Sequence, residues 1–103
     1  MNAATFRRLA LELPGAVEGS HMGHADFRTG GRIFASIIDE VEGPGMVKLA
    51  PEDQSRYIDE WPDVFSPCAG AWGRAGATYV RLPPARAAVI RRALKAAYNR
   101  VRA

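Results

Sequence analysis

Tight turn signals divide residues 17–50 into short apolar segments, and this pattern constrains the fold more than any other feature. Gly30-Gly31 is a two-residue turn signal, and Glu42-Gly43-Pro44-Gly45 is a second turn. Two-residue glycine turns join antiparallel strands, whereas parallel strands need a crossover of about a dozen residues or more. We therefore predict an antiparallel meander. Its strands cover residues 17–22, 25–29, 32–39 and 46–50, and the first is the weakest.

Three amphipathic segments flank or follow this meander. Phe6, Leu9, Ala10 and Leu13 recur at helical spacing and predict a helix over residues 3–13. Proline is favoured at the first position of a helix and disfavours helical geometry in the residue before it, so Pro51 and Pro62 bound a second helix. The third helix covers about residues 85–102.

Between the last two helices, the sequence predicts a loop over residues 63–70 and then a second hairpin. The hairpin strands are predicted at 71–74 and 77–82, with a turn at Ala75-Gly76. The element order is therefore α-β-β-β(-β)-α-β-β-α. We predict an α+β fold of one domain, residues 1–103, in which a two-layer arrangement packs the helices on one face of an antiparallel sheet.

Composition excludes several classes of protein. The 103 residues are 48% hydrophobic and 24% charged, which is typical of a globular rather than a disordered chain. No apolar run approaches the roughly 20 residues of a membrane span, and the first residues lack a signal-peptide pattern. The single Cys68 excludes an internal disulfide framework and fits a reducing compartment. We expect a cytoplasmic protein without a membrane partner.

The net charge of +3 conceals a strong asymmetry along the chain. Residues 1–63 carry 6 Lys/Arg and all 11 Asp/Glu, a net charge of −5, whereas residues 64–103 carry 8 Lys/Arg and no acid. Such asymmetry favours an anionic partner, and a solvated basic surface is the alternative. Trp72 and Tyr79 lie among the arginines of the basic half, where an exposed ring could stack on a base.

Motifs for catalysis are weak. His21-Met22-Gly23-His24 could share a metal ion only on a helical or tightly turned backbone, so His21 and His24 are weak metal candidates whose favoured role is structural. Cys68 would need a neighbouring base to act as a nucleophile. We predict no catalytic residue, no cofactor and a non-enzymatic function.

The chain resembles the MmcQ/YjbR family of small bacterial proteins. The resemblance rests on residues 13–18, 23–28, 31–35, 47–52 and 71–73 and on the closing helix. It implies a secretion-chaperone-like antiparallel sheet covered by helices, and DNA binding through a "double wing". Family-typical positions are His24, Phe27, Lys48, Trp72 and Arg74, and the sequence departs from the family at Ala25 and Ala50. The wings would be the Gly30-Gly31 hairpin, flanked by Arg28 and Arg32, and the segment 74–81.

The leading hypothesis is a DNA-binding, or nucleic-acid-binding, module with phosphate-backbone contacts and low sequence specificity. The residues expected to contact DNA are Arg28, Arg32, Lys48, Trp72, Arg74, Arg81, Arg91 and Lys95. The alternative is a protein-interaction or adaptor domain, in which a homodimer pairs the acidic and basic portions across a twofold axis. A third hypothesis is a small-ligand or metal site around His21, His24, Trp72 and Cys68.

Overall fold

The computed structural model describes residues 1–41 and 43–103, so Glu42 of the predicted turn lies outside the described residues. The elements follow in chain order: α1 Ala3–Leu11, β1 Val17–His21, β2 His24–Thr29, β3 Arg32–Ile37, β4 Gly45–Lys48, α2 Pro51–Glu60, β5 Phe65–Pro67, α3 Gly70–Arg74, β6 Ala77–Val80 and α4 Ala87–Arg102. Within these residues, every helix is too short or too polar to cross a membrane.

The strands form one six-stranded sheet in the order β1-β2-β3-β4-β6-β5, and every neighbouring pair is antiparallel. The predicted meander is therefore confirmed, and so is the α+β fold class. A register row runs across the sheet from Phe27 through Ala35 and Val47 to Thr78. Because side chains alternate along a strand, this row lies on one face of the sheet, and the alternation is interrupted only by a register shift between Phe27 and Arg28.

Helices α1 and α4 cover that face and form the core together with the buried side chains of the strands. Asn2 caps α1 by accepting a hydrogen bond from the Thr5 amide at 2.9 Å. Phe6 and Ile90 are fully buried, and burial of such side chains contributes about 1.5–3 kcal/mol each. The ring of Tyr98 meets Phe34 edge to face, with centroids 5.6 Å apart. The two helices are thereby fixed on the sheet.

The opposite face carries a smaller apolar cluster. Met46, Cys68 and Ala77 are buried there, and Ile38 and Tyr79 pack against them. Met46 and Tyr79 are paired across β4 and β6, and they alternate with the helix-facing residues of those strands. This cluster stabilises the edge of the sheet where β5 and β6 lie.

The prediction for residues 63–82 was partly wrong. Residues 71–74 form the short helix α3 rather than a strand, and β5 lies in the segment predicted as a loop. Helix α3 packs closely on the chain before it, because Gly73 has no Cβ atom and one there would lie only 1.6 Å from the Cys68 carbonyl oxygen. Residues 74–81 therefore form no wing hairpin. Strand β6 pairs instead with β4 and β5.

Candidate nucleic-acid interface

A cleft of about 530 Å³ lies at the end of the sheet where β3 begins and β4 ends. Three of the eight predicted contact residues, Arg32, Lys48 and Trp72, converge there. The full lining is Gly31, Arg32, Ile33, Lys48, Trp72, Ala75, Ala77, Arg100 and Val101. We call this the basic cleft. No side chain among these described residues carries a carboxylate.

The hairpin turn and the strand register position the two cations on the sheet. Gly30 and Gly31 both have positive φ, at 57° and 77°, so the two-residue turn places Arg32 at the first position of β3. Lys48 is the last residue of β4 and is paired with Ala77 of β6. Arg32 is exposed and Lys48 is half-buried. Both side chains are therefore carried by regular backbone rather than by a loop.

Trp72 forms the aromatic wall of the basic cleft and is 44% exposed. Its helix, α3, is held in place by Gln54 of α2, whose Nε2 donates to the carbonyl oxygens of Gly73 and Ala77 at 3.0 Å each. The backbone that carries the indole is thus anchored to α2 and β6, while part of the ring faces solvent. A ring held in this way is suited to stacking on a planar ligand.

Arg100 is a cleft residue that the sequence-based contact set lacked. Its Nη1 donates to the carbonyl oxygen of Ala75 at 3.0 Å and also to that of Leu49. Gly76 leaves room for this contact, because a Cβ atom there would lie 2.8 Å from Arg100 Nη1 and 1.8 Å from the Leu49 oxygen. The guanidinium therefore joins the end of β4 to the end of α3 and adds positive charge to the cleft.

A smaller depression of about 340 Å³ adjoins the basic cleft, since Arg32 and Val101 line both. We call it the extension of the cleft. Arg102 lies in this extension. Its Nη1 donates to Thr29 Oγ1 at 2.9 Å, and its guanidinium lies 5.0 Å from the centroid of the Tyr98 ring. The guanidinium is thereby held by a hydroxyl and a ring, and among the described residues it forms no ion pair with an Asp or Glu side chain.

The other predicted contact residues lie elsewhere, so the eight do not share one face. Arg74 is exposed on α3 and Lys95 is exposed on α4, and neither lines the basic cleft. Arg91 is paired with Glu12, with Nε 3.2 Å from Oε1. Arg81 lines a separate depression of about 520 Å³ with Tyr79 and Ser66.

Arg28, at the predicted tip of the first wing, is engaged within the sheet. Its Nε and Nη2 donate to the two carboxylate oxygens of Asp26, at 2.7 and 2.9 Å. Asp26 is fully buried, and its Oδ2 also accepts a hydrogen bond from His21 Nδ1 at 2.8 Å. The Arg28 hydrogen bond, followed by that of His21, lowers the pKa of Asp26 despite the opposing effect of burial. Arg28 therefore serves mainly to neutralise a buried carboxylate.

The residues of the third hypothesis do not form one site. The two histidines lie in β1 and β2 at one edge of the sheet, whereas Cys68 follows β5 at the other edge. Burial raises the pKa of the Cys68 thiol to about 11, so the sulfur is protonated at neutral pH and is a poor nucleophile. Within residues 1–41 and 43–103, no three His, Cys, Asp or Glu side chains cluster to hold a metal ion.

Comparison with known proteins establishes the fold. No family model matches the chain, and no curated protein matches it in sequence. Among solved structures, the crystal structure of the Deinococcus radiodurans protein DR2400, a DUF419 domain, is similar, with a TM-score of 0.79. The sequences are 18% identical, and the match covers 97% of this chain and 78% of that one. The DUF419 domain has a YjbR/MmcQ-like fold, so the fold expected from the resemblance is confirmed.

Proposed function

We propose that this chain is a cytoplasmic member of the MmcQ/YjbR family that binds nucleic acid, DNA above all, at the basic cleft. The observation that carries the proposal is the convergence of Arg32, Lys48 and Arg100 with a partly exposed Trp72. Phosphate oxygens need cations, and an unpaired base needs a planar surface on which to stack. The basic cleft supplies both within about 530 Å³.

The contacts expected at the cleft are mainly to the backbone of the nucleic acid. Arg32 and Lys48 donate to phosphate oxygens, and Arg100 raises the local potential while its Nη1 stays bound to backbone carbonyls. The side chains that line the cleft include no Asn, Gln, Asp, Glu, Ser or Thr, and its cations are assigned to phosphates, so we expect low sequence specificity.

Trp72 favours single strands over duplexes. In a duplex the faces of the bases are stacked on one another, whereas a single strand exposes them to an aromatic side chain. Stacking of one base on an aromatic ring is worth about 1–3 kcal/mol by alanine substitution. We therefore expect Trp72→Ala to weaken single-strand binding by this amount and to affect duplex binding much less.

Fluorescence anisotropy with a labelled oligonucleotide, single-stranded and as its duplex, tests the proposal at about 50 mM salt. The double variant Arg32→Gln/Lys48→Gln should bind at least tenfold more weakly, with a shallower salt dependence, because about 0.7–0.9 of a counterion is released for each phosphate contact. Arg8→Gln/Arg56→Gln is the matched control. It removes the same charge from arginines that are exposed and paired with Glu12 and Asp53.

Equal weakening in the two double variants would show that net charge alone drives binding. Absence of binding by the wild-type chain to either oligonucleotide would overturn the proposal. Self-association as an adaptor, with the acidic and basic portions paired between two copies, stays a prediction. Sedimentation velocity at low and high salt tests it, because a charge-paired dimer should dissociate as salt rises.

A further inference from the structure

The His-Met-Gly-His segment is a tight hairpin. This is the tightly turned backbone that two histidines at this spacing need in order to share a metal ion. His21 and His24 are directly paired across β1 and β2. Met22 and Gly23 form the two-residue turn between them, with φ values of 50° and 79°. Side chains of a directly opposed pair point to the same face of the sheet, with Cβ atoms about 4.5–5.5 Å apart. The two imidazoles are therefore neighbours.

The two rings can reach one ion after a side-chain rotation. Their centroids are 6.4 Å apart, and their planes meet at 70°. Two imidazoles bound to one tetrahedral Zn²⁺ through nitrogens at about 2.0–2.1 Å have centroids roughly 5 Å apart, so the rings must approach each other by about 1 Å. His21 is exposed and His24 is half-buried, which leaves both side chains room to rotate.

A buried carboxylate orients one of the two rings. His21 Nδ1 donates to Asp26 Oδ2 at 2.8 Å, which leaves Nε2 as the ring nitrogen available to a metal ion. Metal-bound histidines in proteins are usually held by a carboxylate or carbonyl in this way. Gly19 protects the arrangement, because a Cβ atom there would lie 3.0 Å from Asp26 Oδ1 and 3.1 Å from Arg28 Nε.

We propose that His21 and His24 bind a divalent transition-metal ion at the tip of the β1–β2 hairpin, with Asp26 as a positioning residue. Neutral imidazole nitrogens suit Zn²⁺, Cu²⁺ and Ni²⁺, and Cu²⁺ binds most tightly to a given nitrogen site. Two protein ligands leave the remaining positions to water, so the site is open. It lies at the opposite end of β2 from Arg32 and the basic cleft, and it is independent of the proposed nucleic-acid binding.

Calorimetric titration of the untagged chain with ZnCl₂, and then with CuCl₂, tests the site. We expect one ion per chain, with tighter binding of Cu²⁺. His21→Gln and His24→Gln should each abolish the stoichiometric binding. Asp26→Asn should weaken it about 10–100-fold, the effect typical of losing a carboxylate behind a metal-bound histidine. Circular dichroism of each variant establishes that the fold is retained.

Glu18→Gln is the matched control for Asp26→Asn. Glu18 is on β1, but it is paired with Arg7 through a 3.0 Å contact and alternates with the histidine face. Metal binding should be unchanged in this variant. Absence of stoichiometric binding by the wild-type chain would overturn the proposal, and so would binding that survives in both histidine variants. For a folded Asp26→Asn chain, an altered Cu²⁺ absorption or electron paramagnetic resonance spectrum distinguishes positioning from a general loss of stability.

Discussion

The arginines along α1 and those at the basic cleft meet different partners. Arg7 and Arg8 contact the carboxylates of Glu18 and Glu12, at 3.0 and 3.4 Å, and Arg91 of α4 reaches Glu12 as well. At the cleft, Arg100 contacts backbone carbonyl oxygens, and Arg32 and Lys48 form no ion pair with any described residue. Two regions with similar numbers of cations therefore present very different fields to an anion.

The position of the acidic residues, more than the number of cations, therefore defines the candidate interface. A cation beside a carboxylate is neutralised locally, and an exposed ion pair of this kind stabilises the fold by only about 0–1 kcal/mol. The charge asymmetry of the sequence is preserved in space only in part, because Glu12 of the acidic portion neutralises Arg91 of the basic portion. At the basic cleft, Arg32, Lys48 and Arg100 are not neutralised in this way by any described residue.

The largest predicted effect breaks the cleft itself. Gly76→Ala should destabilise the chain by about 3 kcal/mol, because alanine is strained at a φ of 116° and its Cβ would collide with the Leu49 carbonyl. Gly15→Ala is the matched control, with positive φ but no atom within 4 Å, and should cost about 1 kcal/mol. Urea denaturation measures both. Equal losses would show that the cleft is not tightly packed around Gly76.

The second effect is a pH dependence of the stability of the fold, and it arises at Asp26, outside the cleft. The pKa of Asp26 is lower in the folded state than in the unfolded chain, mainly because of Arg28, so the unfolded state binds the proton more readily. The contribution of Asp26 to stability should be complete above the unfolded value of about 4 and should decrease as the pH falls further. Melting temperatures between about pH 2 and 7 measure it. Asp26→Asn should flatten the acid limb, and an unchanged limb would contradict the assignment.

A third prediction concerns Cys68, which is buried on the face of the sheet opposite to α1 and α4. Because burial raises the pKa of Cys68 to about 11, a thiol reagent at neutral pH should react with the native chain far more slowly than with the unfolded chain. The rate should increase with pH up to that range while the chain stays folded. Rapid labelling of the native protein would show that the cluster around Met46 and Ala77 opens readily.

The smallest predicted effect sharpens the contrast between the two regions. Glu12→Gln releases both Arg8 and Arg91 from their carboxylate and raises the net charge by one. If position decides binding, affinity for an oligonucleotide should change less than about twofold at 0.15 M salt, where charges more than about 8 Å apart are largely screened. Anisotropy titration measures it, and a several-fold gain would favour net charge over the basic cleft.

The regular elements were predictable because their residues carry strong periodicity. The apolar face of α4 and the hairpin turn at Gly30-Gly31 are both local signals, and both occur as expected. Helix α3 was not predictable from periodicity, since five residues are too few to show a helical repeat and Trp72 also favours strands. Its conformation depends on tertiary contact at Gly73.

The candidate site was predictable only residue by residue. Arg32, Lys48 and Trp72 were singled out from charge and resemblance, but their convergence depends on β6 lying beside β4. No local signal specifies that pairing. The carboxylate partners of Arg28 and Arg91 were not predictable for the same reason. Asp26 and Glu12 are identified as those partners only by the strand register and the packing of α1 on α4.

The central claim is that the basic cleft, rather than the paired cations of α1 and α4, binds nucleic acid. Two-dimensional NMR of the labelled chain with a short thymidine oligonucleotide at about 50 mM salt tests it most directly. We expect shifts at Gly31, Arg32 and Lys48, throughout α3 and at the Trp72 indole N–H, with little change at Arg8 and Arg91. Shifts confined to the α1–α4 surface, or no shifts at all, would contradict it.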